Sequence, residues 1–119
     1  MLSDLEKAID DERMVSFSPV VLHQDFDFHN FLVDLEKQQI TGVLDFGSIS
    51  IGDPAVDISS EVRPYYGGKI DVGWDFRRNY YQRTGALEDL LYIRTCGHDI
   101  PNQKAVQDRK LRQIASLWP

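Results

Sequence analysis

Apolar positions along the chain change period several times, and each change marks an expected element. Behind Ser3, the residues Leu5, Ala8, Ile9 and Met14 recur at near-helical spacing, and Glu6 completes a capping-box pattern. The spacing predicts a short helix over 3–14. Pro19 ends the pattern, and Val20-Val21-Leu22 predicts a brief buried strand that stops at His23. Gln24 to Asn30 mixes charge and aromatics without a period and predicts a loop. Phe31-Leu32-Val33 and Ile40-Thr41-Gly42-Val43-Leu44 predict a hairpin around the polar turn Glu36-Lys37-Gln38-Gln39. Further on, Asp53 suits a helix N-cap and Pro54 the first helical position, predicting a helix to about Tyr66 with Gly67-Gly68 as its stop. Segments 71–84, 86–96 and 102–118 also predict helices, punctuated by Gly85, Gly97 and Pro101. The expected fold class is therefore α+β, a small hairpin region followed by a helical bundle.

Composition narrows the class without changing that picture. A chain of 119 residues, 42% hydrophobic and 27% charged, is expected to form one ordinary globular domain. No apolar run approaches the roughly 20 residues of a membrane span, and Met1-Leu2-Ser3-Asp4 is acidic where a leader would be basic. With Cys96 as the single cysteine, no internal disulfide can form, and a cytoplasmic protein is expected. The net charge of -6 is uneven: residues 1–61 hold 13 acids and 3 bases, residues 62–119 hold 6 acids and 10 bases. The acidic front half suits metal ions or cationic ligands, and no basic stripe of the kind that tracks phosphates is present, so nucleic acid is not an expected partner.

Three polar residues stand at the ends of expected strands: Asp25 after the first, Asn30 before the second and Asp45 after the third. Antiparallel pairing of 31–33 with 40–44 sets Asn30 and Asp45 at the same edge. Two oxygen ligands there suit Mg²⁺, which completes its shell with water and substrate phosphates. Asp25, on the adjoining loop, is then placed to act as a base or orienting group for a hydroxyl.

The same residues carry a resemblance. His23-Gln24-Asp25-Phe26-Asp27-Phe28-His29-Asn30 fits His-x-Asp-x-x-x-x-Asn, Asp45-Phe46-Gly47 follows, and Ile51-Gly52-Asp53-Pro54-Ala55-Val56-Asp57 comes third. Each motif is common alone; the three in this order resemble the aminoglycoside phosphotransferase and choline kinase superfamily, over about residues 20–60. The resemblance implies the C-terminal lobe of a protein-kinase-like fold, with a catalytic and metal segment at 20–57 and a helical bundle at 58–119. It implies Asp25 as the catalytic aspartate, Asn30 and Asp45 as Mg²⁺ ligands, ATP or GTP as phosphoryl donor, and His23, Asp53 and Asp57 as structural support. Two departures stand out: Gln24 occupies a position where the family usually has glycine, and Asp27-Phe28-His29 replaces a His-Pro-Gly-like run.

With 22 residues before His23, and Lys7 as their sole lysine, a nucleotide-binding lobe is expected to be absent from the chain. The leading functional expectation is a small-molecule phosphotransferase acting on a hydroxyl, incomplete as this chain, with a cationic substrate favoured by the acidic half. The alternative is a non-catalytic lobe serving as a binding or dimerisation module, so that a second copy or the missing lobe becomes a partner. A metal-dependent hydrolase using His23, Asp25 and Asp45 is a third reading. The aromatic groups Tyr65-Tyr66, Trp74-Phe76 and Tyr80-Tyr81 are expected in the core, and Arg77, Arg78 and Arg83 on solvated helix faces. His29 and His98 are expected as surface or capping residues.

Overall fold

A computed structural model describes residues 2–96 and 99–118. It is α+β, with three α-helices and two small antiparallel sheets among the described residues. The chain divides into two compact units, one of Met1–Val15 with Asp75–Pro119, the other of Ser16–Trp74.

The first unit is helical. Helix α1 (Leu2–Ile9) buries Leu5 and places Asp4 in its first turn and Lys7 in its last, matching the helix dipole. It ends earlier than the apolar spacing predicts, and Ser3 lies inside it. Asp10, Asp11 and Glu12 follow directly, and carboxylates at a helix C-terminus oppose the dipole. Asp11 instead caps a 3₁₀ turn at Glu12–Met14, its Oδ1 accepting from the Arg13 backbone N–H at 2.9 Å. The Arg13 guanidinium returns to the same carboxylate at 2.7 Å and lies over the Phe76 ring, 3.7 Å from its centroid.

Helix α2 (Trp74–Thr95) is one 22-residue element where two were expected. Gly85 does not break it, because an interior glycine costs a helix only about 1 kcal/mol relative to alanine. Helix α3 (Gln103–Leu117) buries Ile114. Gln103 Nε2 donates to the Ile93 carbonyl at 2.6 Å, and Lys110 pairs with Asp89 at 2.6 Å. Arg77, expected on a solvated face, is fully buried, and its Nη1 donates to the Arg13 carbonyl at 2.9 Å. Burial of a guanidinium is tolerated where backbone acceptors replace its water. The expected stop at Gly97 and the expected capping residue His98 lie outside the described residues.

The second unit carries two ribbons. Strand β1 (Val20–Leu22) pairs antiparallel with β4 (Ser50–Gly52), with Val21 opposite Ile51. Strand β4 was not expected, since Ser50-Ile51-Gly52, unlike Val20-Val21-Leu22, is not a continuous apolar run. Strands β2 (Phe31–Asp34) and β3 (Gln39–Val43) form the predicted hairpin, Phe31 opposite Val43, with a register shift between Leu32 and Val33. Gln38 takes φ 52°, closing a turn that Asp34 Oδ1 braces by accepting from the Lys37 N–H at 3.0 Å.

The helix expected from Pro54 to Tyr66 does not form. Asp53 and Pro54 start a single turn, closed by the Ile58 N–H on the Pro54 carbonyl at 3.1 Å, and a 3₁₀ turn follows at Arg63–Tyr65. Val56, Ile58 and Val62 are β-branched, and Pro64 lacks the N–H that a helix continuing through it would need. Of the aromatic groups, Trp74 is buried against Tyr66, ring centroids 5.6 Å apart, whereas Tyr65 is exposed.

Candidate active site

The loop after β1 is set by one carboxylate from far along the chain. Asp57 accepts from the His23 N–H through Oδ2 at 2.6 Å and from the Gln24 N–H through Oδ1 at 2.9 Å. Two successive N–H groups can face one carboxylate because Gln24 is left-handed, φ 65°. The glycine-like conformation is thus kept although the side chain is an amide, and Gln24 Nε2 donates to Ser50 Oγ on β4.

His23 is buried, and its ring bridges two strand ends. Nδ1 accepts from the Asp25 backbone N–H at 3.1 Å, which leaves the proton on Nε2, and Nε2 donates to the Leu44 carbonyl at 2.7 Å. The residue before Asp45 is thereby tied to the backbone of Asp25. Phe46 packs edge-on against the same ring at 4.9 Å. Since both ring nitrogens of His23 are engaged by backbone groups, the ring is not available as a metal ligand, and the hydrolase reading loses one of its three ligands.

Asn30 is buried at the end of a 3₁₀ turn, Phe28–Asn30, which Asp27 caps through Oδ1 on the Phe28 N–H at 2.6 Å. Its backbone carbonyl accepts from the Leu44 N–H at 2.7 Å, so the β2–β3 pairing extends to the edge where Asp45 follows. Its Nδ2 donates twice, to the Asp25 carbonyl at 2.8 Å and to Asp25 Oδ2 at 3.0 Å. Both partners are acceptors, so the amide must present nitrogen to them and Oδ1 elsewhere. The Asn30 hydrogen bond is the largest cause holding the Asp25 carboxyl below its usual range; desolvation opposes it, and His29 adds to it. His29 lies between two carboxylates, Nε2 at 3.4 Å from Asp25 Oδ2 and Nδ1 at 3.5 Å from Asp27 Oδ2.

Asp45 is exposed and left-handed, φ 59°, and its Oδ1 accepts a long hydrogen bond from the Gly47 N–H at 3.4 Å. Asp53 is buried; its Oδ1 accepts from the Ala55 N–H at 3.0 Å and its carbonyl from the Val56 N–H at 3.0 Å, forming the turn that leads to Asp57. The structure therefore joins His23, Asp25 and Asn30 by direct hydrogen bonds, ties Leu44 to both His23 and Asn30, and braces the loop with Asp57. No direct contact joins Asp45 to the other site residues among the hydrogen bonds described. Among the described residues no group of three or more His, Cys, Asp and Glu could hold a metal ion. The available donors are the Asn30 amide oxygen and the Asp45 carboxylate, hard oxygens of the kind Mg²⁺ takes one or two at a time beside water and phosphate. They fit that ion rather than a zinc-type site. His29 is exposed, as expected of a surface residue, although its contacts with Asp25 and Asp27 carry no periodic signal in the sequence; Ser50 was missed, hidden in the unforeseen β4.

The arrangement is a loop that exposes the Asp25 carboxylate and holds it through the Asn30 side chain. A profile of the phosphotransferase enzyme family matches residues 2–94, which is 93 of the 119 residues. The chain belongs to the phosphotransferase enzyme family. The match agrees with the resemblance to the aminoglycoside phosphotransferase and choline kinase superfamily, and it extends well beyond the segment 20–60 into α1 and α2. No curated protein matches the chain significantly. No helix among the described residues is long and apolar enough to cross a membrane.

Proposed function

We propose that residues 20–57 supply the acceptor side and the metal side of phosphoryl transfer from ATP or GTP to a hydroxyl of a small molecule, within a kinase-like C-terminal lobe in the cytoplasm. The observation that carries this reading is the Asn30 side chain, which holds Asp25 by two hydrogen bonds while its own backbone is paired to Leu44. Asp25 orients the acceptor hydroxyl and takes its proton. A carboxyl held below its usual range is an anion at neutral pH and a weak base, so it accepts that proton late, once the attacking oxygen has begun to bond to phosphorus. Asn30 through Oδ1 and Asp45 through its carboxylate would hold Mg²⁺, which neutralises charge on the donor phosphates. His23, Asp53 and Asp57 act as support, because their polar atoms are spent on the backbone of these loops. The acidic front half favours a cationic acceptor.

A binding or dimerisation role is the second reading. Val21 and Ile51 favour it, cross-strand partners whose side chains are both exposed.

The test is transfer of labelled phosphate from Mg²⁺–ATP and Mg²⁺–GTP to a panel of hydroxyl-bearing amines, by the chain alone and with a kinase-type N-terminal lobe supplied. Loss of transfer in Asp25→Asn is expected. Undiminished transfer in that variant would remove Asp25 from the mechanism. Mn²⁺ added in place of Mg²⁺ is expected to broaden the NMR signals of Asn30 and Asp45 first; uniform broadening would remove the metal assignment.

A further inference from the structure

A cavity in the unit Ser16–Trp74 has no part in the chemistry above. It measures about 630 Å³ and is lined by nine residues, among them Phe26, Phe28 and Phe31, with Ile40 from the hairpin and Val62 and Tyr65 from the 3₁₀ region. The three phenylalanines are already arranged edge to face, Phe26 to Phe31 at 4.8 Å and Phe28 to Phe31 at 5.9 Å between ring centroids. Rings in that arrangement accept a further flat ring in the same geometry.

The occupant can be narrowed by size and charge. A volume near 630 Å³ falls in the range of small-molecule pockets, about 300–1,000 Å³. Nine lining residues fall well short of the roughly 20–30 a side that a stable protein interface takes, which argues against a second copy of the chain. Glu61 is the one charged lining residue, so the cavity disfavours anions. Gln38, Gln39 and the Tyr65 hydroxyl supply neutral hydrogen-bonding groups.

We propose that this trough is a binding site for a small, flat aromatic molecule that carries no negative charge. Phe26 and Phe28 belong to the loop between Asp25 and Asn30, so an occupant touches the segment that carries the Asp25 carboxylate. Occupancy therefore stiffens that loop.

The probe is 2-naphthol, neutral near pH 7, followed by protein NMR shifts and by its own fluorescence; neither reading needs turnover, so the result is separate from that of the transfer assay. Saturable binding is expected, with shifts at Phe26, Phe31 and Ile40 and slower amide exchange across 25–30. Phe28 and Tyr65 are 73% and 88% exposed, so Phe28→Ser and Tyr65→Ser cost the fold little, and each is expected to weaken binding at least about fivefold. Val72→Ser, at a side chain 96% exposed outside the lining, is expected to leave binding unchanged. Absence of saturable binding, or equal binding by wild type and Tyr65→Ser, would overturn the assignment. So would a dimer in sedimentation that Tyr65→Ser dissolves, because a second copy would then be what covers the trough.

Discussion

Asp57 holds the backbone of the loop after β1 directly, and replacing it has a calculable cost. Its carboxylate receives two backbone N–H groups, of His23 at 2.6 Å and of Gln24 at 2.9 Å, the first partly buried and the second exposed. A hydrogen bond to a charged group contributes about 1.5–3 kcal/mol net, and a buried donor left without an acceptor adds a desolvation cost. The exposed Gln24 N–H recovers water when the carboxylate goes, so its share falls to the low end or below. Asp57→Ala is therefore expected to destabilise the protein by about 2–4 kcal/mol, and Asp57→Asn, which keeps one acceptor oxygen, by about half as much. Against a typical total of 5–15 kcal/mol this is a large fraction. In urea, with a mid-range slope of about 2 kcal/mol per molar, the Asp57→Ala midpoint should fall by about 1–2 M at unchanged slope. Stability alone does not locate the effect, so amide exchange is the second measurement. The His23 and Gln24 amides should lose protection in Asp57→Ala well before those of α3. Unchanged protection at His23 would refute the reasoning, whatever the midpoint does.

Three further outcomes are expected. Gly85→Ala should raise stability by about 0.5–1 kcal/mol, because Gly85 lies inside α2 and an added Cβ meets nothing within 4 Å; a lower thermal midpoint would contradict that open surface. Asn30→Ala should raise the Asp25 carboxyl pKa, read from its ¹³C chemical shift against pH, since the Asn30 hydrogen bond is the largest cause of its depression; no rise would mean another group holds Asp25. Asp11 is lowered from its ordinary 3.8 to about 2 by Arg13, and Asp25 is lowered as well, so each contributes stability that is fully present above the unfolded carboxyl value and lost as pH falls through the folded one. The urea midpoint should accordingly decline between about pH 4 and pH 2, and Arg13→Met should flatten that decline, an identical slope in the variant counting against the Arg13 assignment.

Legibility in the sequence followed the strength of the local signal. The β2–β3 hairpin and the position of β1 were readable, because alternating or continuous apolar runs bounded by turn residues have few other uses, but β1 buries Leu22 alone and exposes Val21 where a buried strand was expected. Strand β4 was not, since Ser50, Ile51 and Gly52 acquire strand geometry only from pairing with β1, 28 or more positions earlier. The region after Pro54 misled for a different reason. Asp53 does cap a turn there, but β-branched residues and Pro64 stop it from propagating, and an N-cap favours only the first turn of a helix, leaving the later turns to their own residues. Gly85 misled in the opposite sense: punctuation by glycine is a modest energetic penalty, and a 22-residue helix with other contacts absorbs it. Arg77 was misplaced because a buried arginine is identified by its acceptor, and the Arg13 carbonyl that receives it lies 64 residues away.

The three motifs of residues 23–57 gain a physical connection that their order alone did not supply. His23 reaches from the first motif to Leu44, next to the second; Asp57 reaches from the third back to His23 and Gln24. Asn30 closes the circuit, its side chain on Asp25 and its backbone on Leu44. The exposed carboxylates of Asp25 and Asp45 thus sit on backbone that is held by residues whose own polar atoms are engaged internally. This division has a consequence for substitution. Changes at His23 or Asp57 should act through loop geometry and appear first in amide exchange, whereas Asp45→Asn should leave exchange and stability nearly unchanged, since its carboxylate makes only the 3.4 Å contact with Gly47. If Asp45→Asn instead destabilised the loop as much as Asp57→Ala, Asp45 would belong with the supporting residues, and its assignment as a metal ligand would lose its basis.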